Sequence, residues 1–324
     1  MNKLLKMTFM GVLALSLFAC GKKKDTPTTV APTTTAPAQK ETIKILTPSG
    51  TPLMAIGGLI GTEGIKIDEA APDLLAPELS KGNNDIIIAP LTAGAKLSIA
   101  GKSKYKLEAV VTTNNTYVIA KGNTTLTNIS DLEGKKIVAY GQNNTPDIAL
   151  RNAFKTNSLT FDDSLVAYQD SVTTAMAMFT AQGSEYDYCL IAEPQLSKMK
   201  SNGANIKSLD LSDYMSTTIY QAGIFVNPNS NQARCNEVIE EIKNNITYLN
   251  EHPADYATKV VDNDKEEGFF KKMGKEVLTL SIPNANISFI KAKDNKDNIN
   301  AYFAEVNSFD TKILGGNVSD EFFR

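Results

Sequence analysis

The 324-residue sequence has no tryptophan, one histidine, three cysteines and only three arginines. Each shortage removes a class of chemistry. The one histidine, His252, stands beside Pro253 at a helix junction and reads as a surface residue. No cysteine has a partnering base nearby, so nucleophilic catalysis lacks an apparatus. H-E-x-x-H, G-x-S-x-G and P-loop patterns are missing, as is any Cys/His run with metal-ligand spacing. "GGLIG" at 57–61 lies inside a helical pattern, not between a strand and a helix, so it is no dinucleotide fingerprint. Asp162–Asp163 and Glu240–Glu241 are chain neighbours and do not face one another. Repeat-protein periodicity is absent too, and the two halves of the chain resemble each other only as βα successions. The formal charge of −3 carries no basic footprint for nucleic acid. These absences point to a binding device with no cofactor and no metal, and away from an enzyme.

What is present begins at the N-terminus. Met1–Lys6 is short and basic, Met7–Ala19 is apolar and uncharged, and together they read as a secretory signal over residues 1–19. The apolar run falls short of the ~20 residues a membrane-spanning helix needs. Leu17-Phe18-Ala19-Cys20 resembles a bacterial lipobox, which implies acylation of Cys20 and anchoring to the outer face of a membrane. Residues 20–41, with the text "GKKKDTPTTVAPTTTAPAQKE" after the cysteine, lack aromatics and nearly all large aliphatics. Such a segment cannot bury enough surface to offset its ordering entropy, so it reads as a disordered, extended tether. Removal of residues 1–19 takes away Lys3 and Lys6 and no acid, so the formal charge moves from −3 to −5. The remaining body is long enough for two lobes with real cores. It needs no staple, so Cys189 and Cys235 read as buried free thiols.

Beyond the tether, short β runs alternate with helical patterns, the signature of an α/β body. "TIKILT" (42–47), "NDIIIAP" (84–90), "KLEAVVTT" (106–113) and "TYVIAKG" (116–122) read as strands. "TPLMAIGGLIG" (51–61) and "LTAGAKLSIAG" (91–101) read as helices. A second series starts near Ile129 and contains "DLEGKKIVAYGQNNTPDIALRNAF", a strand that ends in a polar loop and a helix. "SLVAY", "YDYCLIAEP" and "ANIKSLDL" are further strands, and "TIYQAGIFVNP" (218–228) is one long enough to re-enter the first lobe. In residues 231–251, Ile239, Ile242, Ile246 and Leu249 share a helix face.

The stretch "DLEGKKIVAYGQNNTPDIALR" resembles the D-L-K-G-K-K-I…G-x-x-T-P-D-x-x-L-R segment of the SsuA/THI5-like (NMT1-like) substrate-binding lipoproteins of ABC importers. "PSGTPLMAI", "NDIIIAPLTAGAKL", "IAEP", "LNEHPADYA" and "LGGNVSDEFF" resemble further landmarks of that group, in the same order. The resemblance covers most of residues 42–324. It implies a type II periplasmic-binding-protein fold, with lobe I formed by 42–115 and 222–324 and lobe II by 116–221. Crossing segments near Thr112–Thr116 and Gln221–Phe225 would act as the hinge. It also implies a small-molecule ligand, an ABC permease as partner and a monomeric chain. Enzymes that share the fold keep an enzyme reading open, on analogy alone.

The ligand is expected between the lobes, at the carboxyl ends of the strands. The loops that reach this gap name the candidate site residues: Ser49, Gly50 and Thr51; Thr92; Thr113 and Asn114; Gln142, Asn143, Asn144, Thr145 and Asp147; Tyr168 and Asp170; Glu193; and Tyr220. Several precede helices, whose free amides suit an anion such as a sulfonate or nitrate. Yet these loops supply almost no cation, and Arg151 falls within a helix, past its first turn. Asp147, Asp170 and Glu193 would repel an anion and accept N–H donors instead. The favoured ligand is therefore a flat, N–H-bearing heterocycle, such as a thiamine-precursor pyrimidine or a flavin-like vitamin. A small anion is the alternative.

Overall fold

The computed structural model describes residues 40–324; the expected signal peptide, Cys20 and nearly all of the expected tether lie outside them. Four strands open the body: β1 (Ile43–Thr47), β2 (Ile65–Glu69), β3 (Ile86–Pro90) and β4 (Lys106–Thr113). Between them run helices α1 (Thr51–Met54), α2 (Pro72–Lys81) and α3 (Leu91–Ile99). The chain then builds a second unit from β5 (Tyr117–Lys121), β6 (Ile137–Tyr140), α4 (Thr145–Thr156), β7 (Val166–Gln169), α5 (Val172–Thr180), β8 (Tyr188–Ile191), α6 (Gln195–Ser201) and β9 (Ile206–Asp210). It returns through β10 (Tyr220–Val226), α7 (Gln232–Glu251), α8 (Pro253–Asn263), α9 (Phe269–Met273), α10 (Lys275–Ser281), β11 (Ile287–Lys291) and α11 (Lys296–Phe309).

The strands form two sheets, ordered β11-β4-β10-β3-β1-β2 and β7-β6-β8-β5-β9. One plan is used twice. In each sheet a first strand (β1 or β6) lies parallel to the next two in its series. The adjacent position is filled, antiparallel, by a strand that has just arrived from the other sheet (β10 or β5). Parallel neighbours need helical crossovers, which is why βα units dominate both lobes.

The chain leaves the first sheet at Asn114–Thr116 and returns ahead of Tyr220. Gln221–Phe225, expected as a crossing segment, are strand residues of the first sheet, because β10 pairs along its length with both β3 and β4. The apolar run Ile86–Ile88 is fully buried, as a strand covered on both faces must be. The stripe read from the sequence in α7 is buried as well: Ile239, Ile242, Ile246 and Leu249 all join the core. Each such side chain contributes about 1.5–3 kcal/mol. A further apolar cluster contains both Ile148 and Phe154 of α4 and Tyr302 and Phe303 of α11. The last helix thus braces the second lobe against the first, with Asn152 donating to Glu305 at 3.1 Å beside it.

One helix is shorter than the sequence pattern suggests. The pattern over 51–61 yields only the four residues of α1 and then a 3-10 turn at Gly57–Leu59. The glycines of this turn permit a close approach: a Cβ on Gly57 would sit 2.3 Å from the Phe270 ring, and one on Gly58 2.0 Å from Asn245 Oδ1. Cys189 and Cys235 are free and buried, and His252 is exposed between α7 and α8. No helix among the described residues is long and apolar enough to cross a membrane.

Candidate functional site

The gap between the sheets is bordered by the loops that lead from parallel strands into helices. β1 hands over to α1 through Ser49-Gly50-Thr51-Pro52, and β6 to α4 through Asn143-Asn144-Thr145-Pro146. The two lobes thus present the same Thr-Pro start at equivalent places. Proline suits the first turn because its missing N–H has no intrahelical role there. Neither helix has a side-chain cap, so first-turn amides at both starts lack an intrahelical partner.

Thr51 and Thr145 line one cavity of ≈ 250 Å³ between the lobes. Pro48, Pro52, Pro72, Pro90 and Pro146 give it flat apolar walls, and Tyr140, Asn144 and Asp170 add polar groups. Asp170 is the only charged side chain in this lining, and it makes no ion pair with the described residues. Burial pushes the Tyr140 hydroxyl above the ordinary phenol range, so it stays protonated and able to donate. Asn115, Gln221 and Thr112 close the cavity on the hinge side. There Asn115 N–H donates to Gln221 Oε1 at 3.0 Å, and Gln221 Nε2 donates back to the Asn115 carbonyl at 3.2 Å.

Of the candidates, Thr51, Asn144, Thr145 and Asp170 are brought together in the lining of this cavity. Gly50, with φ 95, forms the turn into α1. Thr92, Gln142 and Asn143 line an adjoining groove that shares Asn144 with the cavity. Thr92 Oγ1 donates to Asn144 Oδ1 at 3.3 Å, a bond between the lobes that marks the boundary of the two spaces.

The other candidates are engaged elsewhere. Ser49 donates to Glu69 Oε2 at 2.7 Å on the surface. Thr113 ends β4 outside the cavity lining, and Asn114, with φ 46, ties the two crossing segments by accepting from and donating to Ile219. Tyr220 packs edge-on against Tyr302 and is not part of the cavity lining. Asp147 is fully buried and accepts from Asn143 N–H at 2.8 Å, from Arg151 Nε at 2.8 Å and from the Tyr168 hydroxyl. That network occupies both Asp147 and Tyr168.

The Glu193 carboxylate faces a different groove, beside Tyr117 and Glu276. It accepts Ser197 N–H at 3.0 Å and Ser197 Oγ at 2.9 Å in the first turn of α6. Burial raises its pKa against those two bonds, which pull the other way.

Asn115 and the five prolines were not among the candidates. Their signal was available in part: a proline comes after β1, β2 and β6, and one ends β3, at or near each helix start. Among the described residues, no group of His, Cys, Asp and Glu is placed to hold a metal ion.

Comparison with solved structures finds the same architecture. The crystal structure of an ABC transporter from Parabacteroides distasonis superposes with a TM-score of 0.70 at 17% identity, covering 88% of this chain and 99% of that one. The periplasmic aliphatic sulphonate binding protein SsuA from Escherichia coli gives 0.66 at 14%, covering 86% and 90%. A Candida albicans protein that exhibits the generic periplasmic binding protein fold gives 0.54 at 16%, covering 87% and 97%. At such identities the likeness establishes the fold. A search of curated protein sequences yields no match. The NMT1/THI5-like family model matches residues 65–256, more than half of the sequence, and the chain, with its periplasmic-binding-protein fold, belongs to that family.

Proposed function

We propose that the protein is the extracytoplasmic solute-binding component of an ABC importer, and that its ligand is a small, flat, single-ring heterocycle rich in N–H donors. The family and the substrate-binding proteins among its structural relatives support the first part. One observation carries the second: Asp170 is the sole charged side chain lining a cavity of ≈ 250 Å³ walled by proline rings. A carboxylate without a cationic neighbour attracts N–H donors and repels anions. Flat apolar walls suit the face of a ring. The volume lies just below the range of about 300–1,000 Å³ usual for ligand sites. It favours one ring of the thiamine-precursor pyrimidine class over a flavin.

Binding would draw the lobes together by contacts that the separated lobes cannot make, with Asn114–Thr116 and the segment before Tyr220 as pivots. Acylation of Cys20 would hold the body near a permease. The chain would act without turnover, so ligand recovered after long incubation would be unchanged.

A second reading, a sulfonate or other small anion, is favoured by the uncapped starts of α1 and α4 at the same cavity. Calorimetry with 4-amino-5-hydroxymethyl-2-methylpyrimidine and with taurine, on wild type and Asp170→Asn, separates the two. The ring reading expects the pyrimidine to bind and to weaken about tenfold or more in the variant. Taurine that binds, and binds tighter in the variant, would replace it with the anion.

A further inference from the structure

The groove beside the cavity has the charge that the cavity lacks. It encloses ≈ 510 Å³ and is bordered by Thr92 and Lys96 of α3, by Gln142–Asn144 of the second lobe, and by Asp310 and Lys312 after α11. Lys96 and Lys312 are both exposed, and neither forms an ion pair with the described residues. Asp310 is turned to its own loop, where Oδ1 accepts the Lys312 N–H at 2.8 Å. Two cations against one anion leave this side positive, whereas the cavity side has Asp170 alone. Asn144 belongs to both linings, and its Oδ1 accepts from Thr92 Oγ1 of the groove at 3.3 Å.

We infer that the groove is the second half of one binding site, and that the physiological ligand carries an anionic substituent which passes Thr92 and Asn144 to lie between Lys96 and Lys312. The inference rests on the ring reading above and specifies its substrate class: a donor-rich ring with a phosphate or carboxylate arm. The acidic and basic ends of the site are separated, so each part of a dipolar molecule meets its opposite charge and the reversed orientation is rejected.

Calorimetry tests it with 4-amino-5-hydroxymethyl-2-methylpyrimidine, its phosphomonoester and inorganic phosphate. The proteins are wild type, Lys96→Ala/Lys312→Ala and Lys96→Glu/Lys312→Glu. The expected result is an affinity about tenfold higher for the phosphomonoester than for the alcohol, the size of one or two screened charge pairs. That ratio should shrink with added salt, fall to about one in the alanine variant, and drop below one in the glutamate variant. Equal affinities in wild type, or a ratio that survives both variants, would overturn the inference and leave the ring reading standing. Binding of inorganic phosphate alone would overturn it too, since the groove would then be a separate anion site. Failure of both pyrimidines to bind would overturn the ring reading and this inference together.

Discussion

Asp147 and Arg151, one turn apart on α4, form an ion pair of 2.8 Å in which the carboxylate is fully buried and the guanidinium about four-fifths covered. Arg151 continues to Asp163 at the surface and stacks on the Phe161 ring at 4.5 Å. The acid is thus matched three times over, by Arg151, Asn143 N–H and Tyr168 Oη, and it fixes the loop whose far side lines the cleft. Asp147→Ala would strand the partly buried guanidinium and two further donors. A loss of about 3 kcal/mol is expected by chemical denaturation. A change below about 0.5 kcal/mol would show that the network contributes nothing.

Asn115 holds the hinge to the second lobe. Its Oδ1 accepts the buried Glu193 N–H at 2.8 Å, and its Nδ2 reaches the Glu193 carbonyl at 3.2 Å and Thr51 Oγ1 at 3.4 Å. Asn115→Ala leaves that amide without a partner, at a cost of about 1–3 kcal/mol. Asn115→Asp keeps the acceptor and should recover part of it. Thermal unfolding of both variants checks the order; equal midpoints would contradict the assignment.

Gly58→Ala should destabilise by about 1–3 kcal/mol through overpacking. The new methyl would meet Asn245 Oδ1 at 2.0 Å, and Asn245 already donates to the Ala55 carbonyl at 2.8 Å. The double change Gly58→Ala/Asn245→Ala tests the cause. If it is no more stable than the sum of the single changes predicts, steric contact is not the mechanism.

Glu193 gives a pH signature. Its folded pKa is raised, with burial the largest cause. Between the unfolded and folded values the native state binds more protons than the unfolded state. Stability therefore falls as pH rises from the ordinary glutamate range, about 4.3, through the raised value, and the neutral form is the favourable one. Glu193→Gln keeps an acceptor for Ser197 without the charge. Its stability relative to wild type should improve steadily as pH is taken from about 4 to 7. A difference that stays flat over that range, by urea denaturation, would reverse the conclusion.

The alternation of β and α runs, the order of the family landmarks and the buried stripe of α7 were all legible in the sequence. These features are local: a period of two or 3.6 residues, or a proline at a helix start, carries its own meaning. The family resemblance carried the two-lobed fold. β2, α2, β11 and α11 were not read, because their apolar positions are few or interrupted by charge, as in "IKIDE". "GGLIG" misled for a different reason: its glycines answer to Phe270 and Asn245, far along the chain.

For the site, the sequence determined which loops border the cleft, since each comes after a strand that ends there. It did not determine which side chains enter it. Asp147 and Glu193 look as available as Asp170 when read in a line, yet only Asp170 lacks a neighbour that takes up its charge or its lone pairs. Gln221 meets Asn115 across 106 residues of chain, and Thr92 meets Asn144 across 52. Hydrogen bonding and charge neutralisation depend on distance in space, and only the folded chain brings those partners within a few ångströms.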